Sequence, residues 1–202
     1  MESADISMKR TDATINRARI IEVAQSVFAE RGLELEINEV AARAHLGVGT
    51  LYRNFGNRED LLRAIVQRAA EDALAQMSAA LASAPDDPRA SLEALVLSGI
   101  KVQQQYQPLF AVIRDPRMKK LFDSSYGRAI RTRFREIVGD MIKHGIEAGV
   151  FRGDLDPEMV AVTILGSFAC SFDLLGTHYS CEELAQKLSR HLLTMFMEKA
   201  EE

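Results

Sequence analysis

VAARAHLGVGTLYRNFGNREDLL, residues 40–62, decides how the whole chain is read. Apolar residues recur at helical spacing on both sides of a short turn. Val40, Ala41 and Ala44 share one side of a short helix expected over residues 37–44. Glu36 and Glu39 lie near its N-terminus, where the helix dipole favours acids. A second helix is expected from about Val48 to Phe55. Residues 45–47 make the tight turn, in which Gly47 can take backbone angles closed to other residues. Gly49, near the next helix start, lets another backbone come close. Two short helices joined this tightly make a helix-turn-helix.

In that motif the second helix lies in the major groove of DNA and reads it with its first turns. The residue types suit the task. Thr50 offers a hydroxyl and a methyl, matching a base edge or a thymine methyl. Arg53 and Asn54 can reach base edges or phosphates, and the Tyr52 hydroxyl suits a phosphate oxygen. Leu51 and Phe55 are expected in the core. Between Val40 and Arg58 the only charges are Arg43, Arg53 and Arg58, in a chain of net charge −4. Such a positive window fits a phosphate-facing surface, and Lys9, Arg10, Arg17 and Arg19 could add to it. The candidate DNA-binding set is therefore Arg43, Gly49, Thr50, Tyr52, Arg53, Asn54 and Arg58.

Outward from this stretch the helical period continues and strand signals are nearly absent. Ile20, Ile21, Ala24, Val27 and Phe28 mark a first helix stopped by Gly32. Leu61 through Leu81 keep the period for over five turns and end at Ser83-Ala-Pro-Asp-Asp-Pro. Further helices are expected over about 89–107, in a short piece broken by Asp115-Pro116, over about 121–148, over about 157–176 and over about 181–199. The fold class is all-α, with about nine helices. Three short ones at the N-terminus are joined directly to the rest by the helix that starts near Arg58.

The bulk numbers narrow the function. At 202 residues and 47% hydrophobic content the chain can bury a real core. Two cysteines, Cys170 and Cys181, are too few for a disulfide framework and fit a reducing cytoplasm. The N-terminus lacks the apolar core of a signal peptide. The apolar stretch Val160–Leu175 is shorter than the roughly 20 residues a membrane span needs, and is expected as a buried helix. Asp173 within it would then need a partner such as Arg131, Arg133 or His178.

The stretch resembles the DNA-binding domain of the TetR-type bacterial transcriptional repressors. The resemblance runs from Arg17 to Leu62. It rests on Gly32, Val40-Ala41, Ala44, Gly49-Thr50-Leu51-Tyr52, Phe55, Arg58-Glu59 and Leu61-Leu62. The run GTLYRNF followed by NREDLL is its most specific part. It implies that Thr50, Tyr52, Arg53 and Asn54 contact DNA and that Arg58 grips a phosphate from the start of the fourth helix. His45 stands where the family's turn glycine is common, Leu46 where valine is, Asn54 where histidine is. The Leu35-Glu36 region replaces a capping Thr or Ser. A non-glycine at the turn is strained by a positive φ.

The same resemblance implies a helix-turn-helix domain over 1–62 and an effector-binding and dimerisation domain over 63–202. The last two helices would pair across a two-fold axis, through Ile164, Phe168, Phe172 and Leu175 with Leu184, Leu188, Leu192, Met195 and Phe196. A homodimer would read double-stranded DNA at a palindromic operator, with its recognition helices about 34–36 Å apart. A small-molecule effector would sit among Gln104, Tyr106, Phe110, Tyr126, Ile130, Phe134, Phe168 and Phe172. No cofactor, metal or membrane partner is expected. Enzyme chemistry finds no support: Gly47-Val-Gly49 lacks a preceding strand and a third glycine, the four histidines are scattered, and no nucleophile elbow occurs. A helical interaction module without DNA binding is the remaining alternative.

Overall fold

A computed structural model describes residues 2–107 and 125–197. The described residues form eight α-helices: α1 (Glu2–Arg31), α2 (Ile37–Arg43), α3 (Val48–Phe55), α4 (Arg58–Ser83), α5 (Pro88–Gln105), α6 (Ser125–Glu147), α7 (Pro157–Leu175) and α8 (Cys181–Phe196). A 3-10 turn, Gly32–Glu34, follows α1. The short helix expected around Asp115-Pro116 lies outside the described residues.

Local chemistry explains most of the boundaries. Gly32 ends α1 with φ +55, a left-handed value that suits glycine. Asn57, Asp87, Asp156 and Ser180 cap α4, α5, α7 and α8 by accepting backbone N–H bonds. At α8 Ser180 and Glu183 close a reciprocal capping box. Pro88 and Pro157 open α5 and α7, where no intrahelical donor is lost.

Two apolar cores result. The first joins α1 to α4 around Ile20, Phe28, Leu35, Leu51, Leu61 and Ile65, all buried. The second gathers α5 to α8, with Met77 of α4, around Leu92, Ile100, Val138, Ile142, Ile164 and Leu192. α5 is the hub of the second core and packs against α4, α6, α7 and α8. The Phe168 ring lies so close to α5 that a Cβ at Gly99 would fall 2.3 Å from it. α4 supplies Leu61 to Ala69 to one core and Met77 to the other, so a single helix of 26 residues spans both. At 1.5 Å per residue it is about 39 Å long.

α7 corrects two expectations. By length and composition its 19 residues, with mean hydropathy 1.6, could cross a membrane, yet only 24% of it is buried within the chain. Its inner face, with Val160, Ala161, Ile164 and Phe168, is part of the core. Met159, Val162, Leu165 and Leu174 on the outer side are 44–72% exposed. Asp173 is exposed too, not buried. The helix is apolar nearly all round, so periodicity could not tell its inner face from its outer one.

Candidate nucleic-acid interface

The turn between α2 and α3 is a Schellman closure. Leu46 N–H donates to the Ala41 carbonyl oxygen at 3.0 Å, and His45 N–H donates to that of Ala42 at 3.2 Å. The positive φ of this closure, 55°, falls on His45. Gly47, expected to take the unusual angles, has an ordinary φ of −68 and ψ of 141 and serves as the N-cap of α3. An L-residue held left-handed costs about 1–2 kcal/mol, and the two bonds across the turn offset part of it.

α3 buries Leu51 and Phe55, one turn apart, in the first core. Tyr52, 50% exposed, flanks this buried side, and Val48, in line with Phe55 but at the start of the helix, is 37% exposed; Gly49 and Arg53 lie opposite, both exposed. Thr50 is half-buried. Arg53 lies back along the helix: Nε donates to the Gly49 carbonyl oxygen and Nη2 to Thr50 Oγ1, both at 3.2 Å. Asn54 Nδ2 donates to the Thr50 carbonyl oxygen at 2.8 Å. A Cβ at Gly49 would meet nothing within 4 Å, so packing within the chain does not require glycine there.

Four arginines around the head are held by the protein itself. Arg17, expected as an added phosphate contact, donates from Nη1 to the Asn54 carbonyl oxygen at 2.7 Å and stacks 4.3 Å above the Phe55 ring. Arg43 is clasped by Glu30, at 2.6 Å to each oxygen, and by Glu39 at 2.7 Å. Arg31 adds a contact to Glu39 at 3.4 Å. The hydrogen bond from Arg43 holds the Glu30 carboxyl below its ordinary range. The expected window of three free positive charges is therefore one fewer, because Arg43 is neutralised by α1 and by its own helix. Arg58, the first residue of α4, donates from Nε to the Leu35 carbonyl oxygen at 2.8 Å, which fixes the guanidinium beside the head. Thr50, Tyr52, Arg53, Asn54 and Gly49 thus share α3, Arg58 flanks it at the head of α4, and Arg43 faces away into an ion-pair cluster.

The candidate effector residues do not gather round one described cavity. Phe134 lines a groove of about 240 Å³ between α6 and α7, with Arg128, Arg131, Thr132, Ala161 and Leu165. Tyr106 lines a small cavity of about 30 Å³ against Phe28, Ile65 and Ala69. Phe168 is spent on Gly99 in the core, and Phe172 packs half-buried beside it. Ile130 is half-buried. Gln104 is exposed and accepts the Cys181 thiol at 3.2 Å. Phe110 lies outside the described residues. The two tyrosines share a different role, since both reach α4. The Tyr106 hydroxyl is 3.4 Å from Asp72 Oδ2. The Tyr126 hydroxyl is 3.0 Å from both the Gln67 carbonyl oxygen and Glu71 Oε1. Burial, then Glu71, pushes the Tyr126 phenol well above its ordinary range.

The sequence did not single out Gln103. It is 4% exposed on α5, and its Oε1 accepts no hydrogen bond. Its place beside Val102 on the buried side of α5 emerges only once the helix is packed on four sides.

Known proteins agree with this architecture. Residues 20–65 match the family model of bacterial regulatory proteins, tetR family. Residues 85–172 match a tetracyclin repressor-like C-terminal domain. The HTH-type transcriptional repressor KstR2 of Rhodococcus jostii (strain RHA1) is 29% identical over 147 residues, covering 71% of each chain. The ketosteroid transcriptional regulator KstR2 of Mycobacterium tuberculosis superposes with TM-score 0.68 at 22% identity, over 91% of this chain and 95% of that one. The transcriptional regulator FadR from Bacillus subtilis, solved in complex with stearoyl-CoA, superposes with TM-score 0.70 at 18% identity, over 88% and 97% of the two chains.

Proposed function

Because the chain belongs to the tetR family of bacterial regulatory proteins, we propose that it is a cytoplasmic, sequence-specific repressor released from a palindromic operator by a small molecule. The observation that carries this is α3, an eight-residue helix anchored by Leu51 and Phe55. As the third helix of a tight head it presents Tyr52 and Arg53 to solvent, with Thr50 and Asn54 half-buried beside them. Arg58 at the head of α4 supplies a phosphate contact. Residues 1–62 act as the DNA-binding domain and 63–202 as the effector and dimerisation domain.

The homodimer forms through α7 and α8. Support comes from the outer side of α7 together with Met195 of α8, which is 53% exposed. A subunit that leaves this much apolar side chain in water gains by covering it. Of the residues expected to do this, Leu175 and Met195 are exposed, 41% and 53%, while Ile164, Phe168, Leu184, Leu192 and Phe196 are buried inside the subunit. The effector binds among α4 to α7, and α4 is the lever. Tyr106 and Tyr126 hold it at Gln67–Asp72, around the last head-core residue, Ala69. A ligand that favours a different seating of α4 changes operator affinity by its own coupling factor.

Selection of bound sequences from random double-stranded DNA, using the purified chain alone, tests this. A palindrome with two half-sites is the expected product. No enrichment at low salt, with a folded dimer confirmed, overturns the DNA-binding reading. If head-to-head spacing were identical with and without a releasing ligand, the lever would be wrong.

A further inference from the structure

The tip of α3 is a valine between two glycines. Val48 is the first residue of the helix and is 37% exposed. A Cβ on Gly47 or Gly49 would meet nothing within 4 Å. Gly47 has extended angles and Gly49 lies inside the helix, so neither answers a need for positive φ. A glycine within a helix also costs stability relative to alanine. The leading edge of the helix therefore shows one small apolar side chain flanked by bare backbone. Tyr52 follows one turn later on the same face. Arg53 and Asn54 meanwhile bond to their own helix.

We infer that Val48 is a specificity-determining residue that selects a thymine in each operator half-site by packing its isopropyl group against the C5-methyl. This rests on the repressor reading above. In the major groove every base edge offers donors or acceptors, and thymine alone adds an apolar group. An isopropyl group can replace none of the hydrogen bonds it would take from a polar edge. Against a methyl it removes two apolar surfaces from water. Side chains at 47 or 49 would hold the tip away from the groove floor, and glycine at both lets it approach.

The test uses the full chain and the operator recovered by selection. Each thymine is replaced in turn, symmetrically in both half-sites, by deoxyuridine, which lacks only the methyl. One position is expected to lose about fourfold in affinity per half-site, the effect of one buried methyl-sized group. V48A should bind the thymine operator more weakly by a similar factor and no longer distinguish uracil there. V48T, which keeps one methyl, should retain part of the discrimination. Val48 is outside the head core and alanine is a better helix former, so thermal melting should show the variants folded. If no uracil position discriminates, or if V48A discriminates as well as the parent, the inference is overturned while the repressor reading stands. If no operator is enriched at all, both fall.

Discussion

Arg17 on α1 holds the last turn of α3: its Nη1 donates to the Asn54 carbonyl oxygen at 2.7 Å, across 37 residues of sequence. The cation sits at the negative end of the recognition helix and over the Phe55 ring, 4.3 Å from its centroid. It acts on the orientation of α3 from within the protein. Each of its two contacts is worth about 0.5–1 kcal/mol at an exposed site. Arg17→Ala should therefore lower the melting temperature and weaken operator binding. The slope of log affinity against log salt should stay unchanged. A slope reduced by about one, the mark of a lost phosphate contact, would show Arg17 working on DNA instead.

Gly49 should give opposite signs in two assays. It sits in the first turns of α3 with open space where a Cβ would go. Gly49→Ala removes unfolded-state freedom without a clash and should stabilise the fold by up to about 1 kcal/mol. Operator affinity should fall, because the added methyl stands between helix and groove. Stability and affinity rising together would remove the close-approach role of this glycine.

How far these sites were visible in the sequence follows from the range of the interactions involved. The bounds of α3 and the stop at Gly32 were legible because each depends on neighbours within a few residues, whereas glycine content alone put the unusual turn angles on Gly47 and only the family resemblance pointed to His45. The fates of Arg17 and Arg43 were not. Their partners Asn54 and Glu30 lie 37 and 13 residues away, and a charge count treats a clasped arginine like a free one. The inner face of α7 was hidden for another reason. Met159, Val162 and Leu165 are as apolar as Val160 and Ile164, so composition carries no phase. The candidate effector residues rest on the family resemblance and a place among the middle helices, which takes in core residues such as Phe168 as readily as pocket walls.

Gln103 offers a stability test within the second core. Its buried Oε1 accepts no hydrogen bond, and an orphaned acceptor costs about 1–3 kcal/mol. Gln103→Met keeps the length of the side chain and removes the polar atoms. The variant should unfold at higher denaturant concentration with an unchanged m-value. A clear loss of stability would mean that the amide has a partner in solution.

Tyr126 ties α6 to α4, and folding favours its neutral phenol. The sign of the linkage follows. Below about pH 10, where an unfolded tyrosine is protonated as well, the contribution is fully present. As pH rises from there through the raised folded value, the unfolded state loses its proton first and the contribution is lost. Tyr126→Phe removes both the hydrogen bond and the titration. Its stability deficit should be constant between about pH 7 and 9 and shrink above about pH 10. A deficit that grew with alkali would contradict the shift.

The outer face of α7 allows a one-residue test of assembly. Val162 is 60% exposed, with Met159 and Leu165 nearby on the same helix, 60% and 44% exposed. In a two-fold interface one substitution acts twice. In the proposed interface Val162→Asp adds one like charge from each subunit, without disturbing the subunit core, since the inner face is Val160, Ala161 and Ile164. The dimer dissociation constant should rise by about a hundredfold or more, the scale of like-charge juxtaposition at an interface. Helix content should be retained. Sedimentation velocity reads the first and circular dichroism the second. Operator binding should weaken in parallel if, as proposed, α7 and α8 hold two heads at the spacing of a palindrome. A variant that stays dimeric would move the interface off this face.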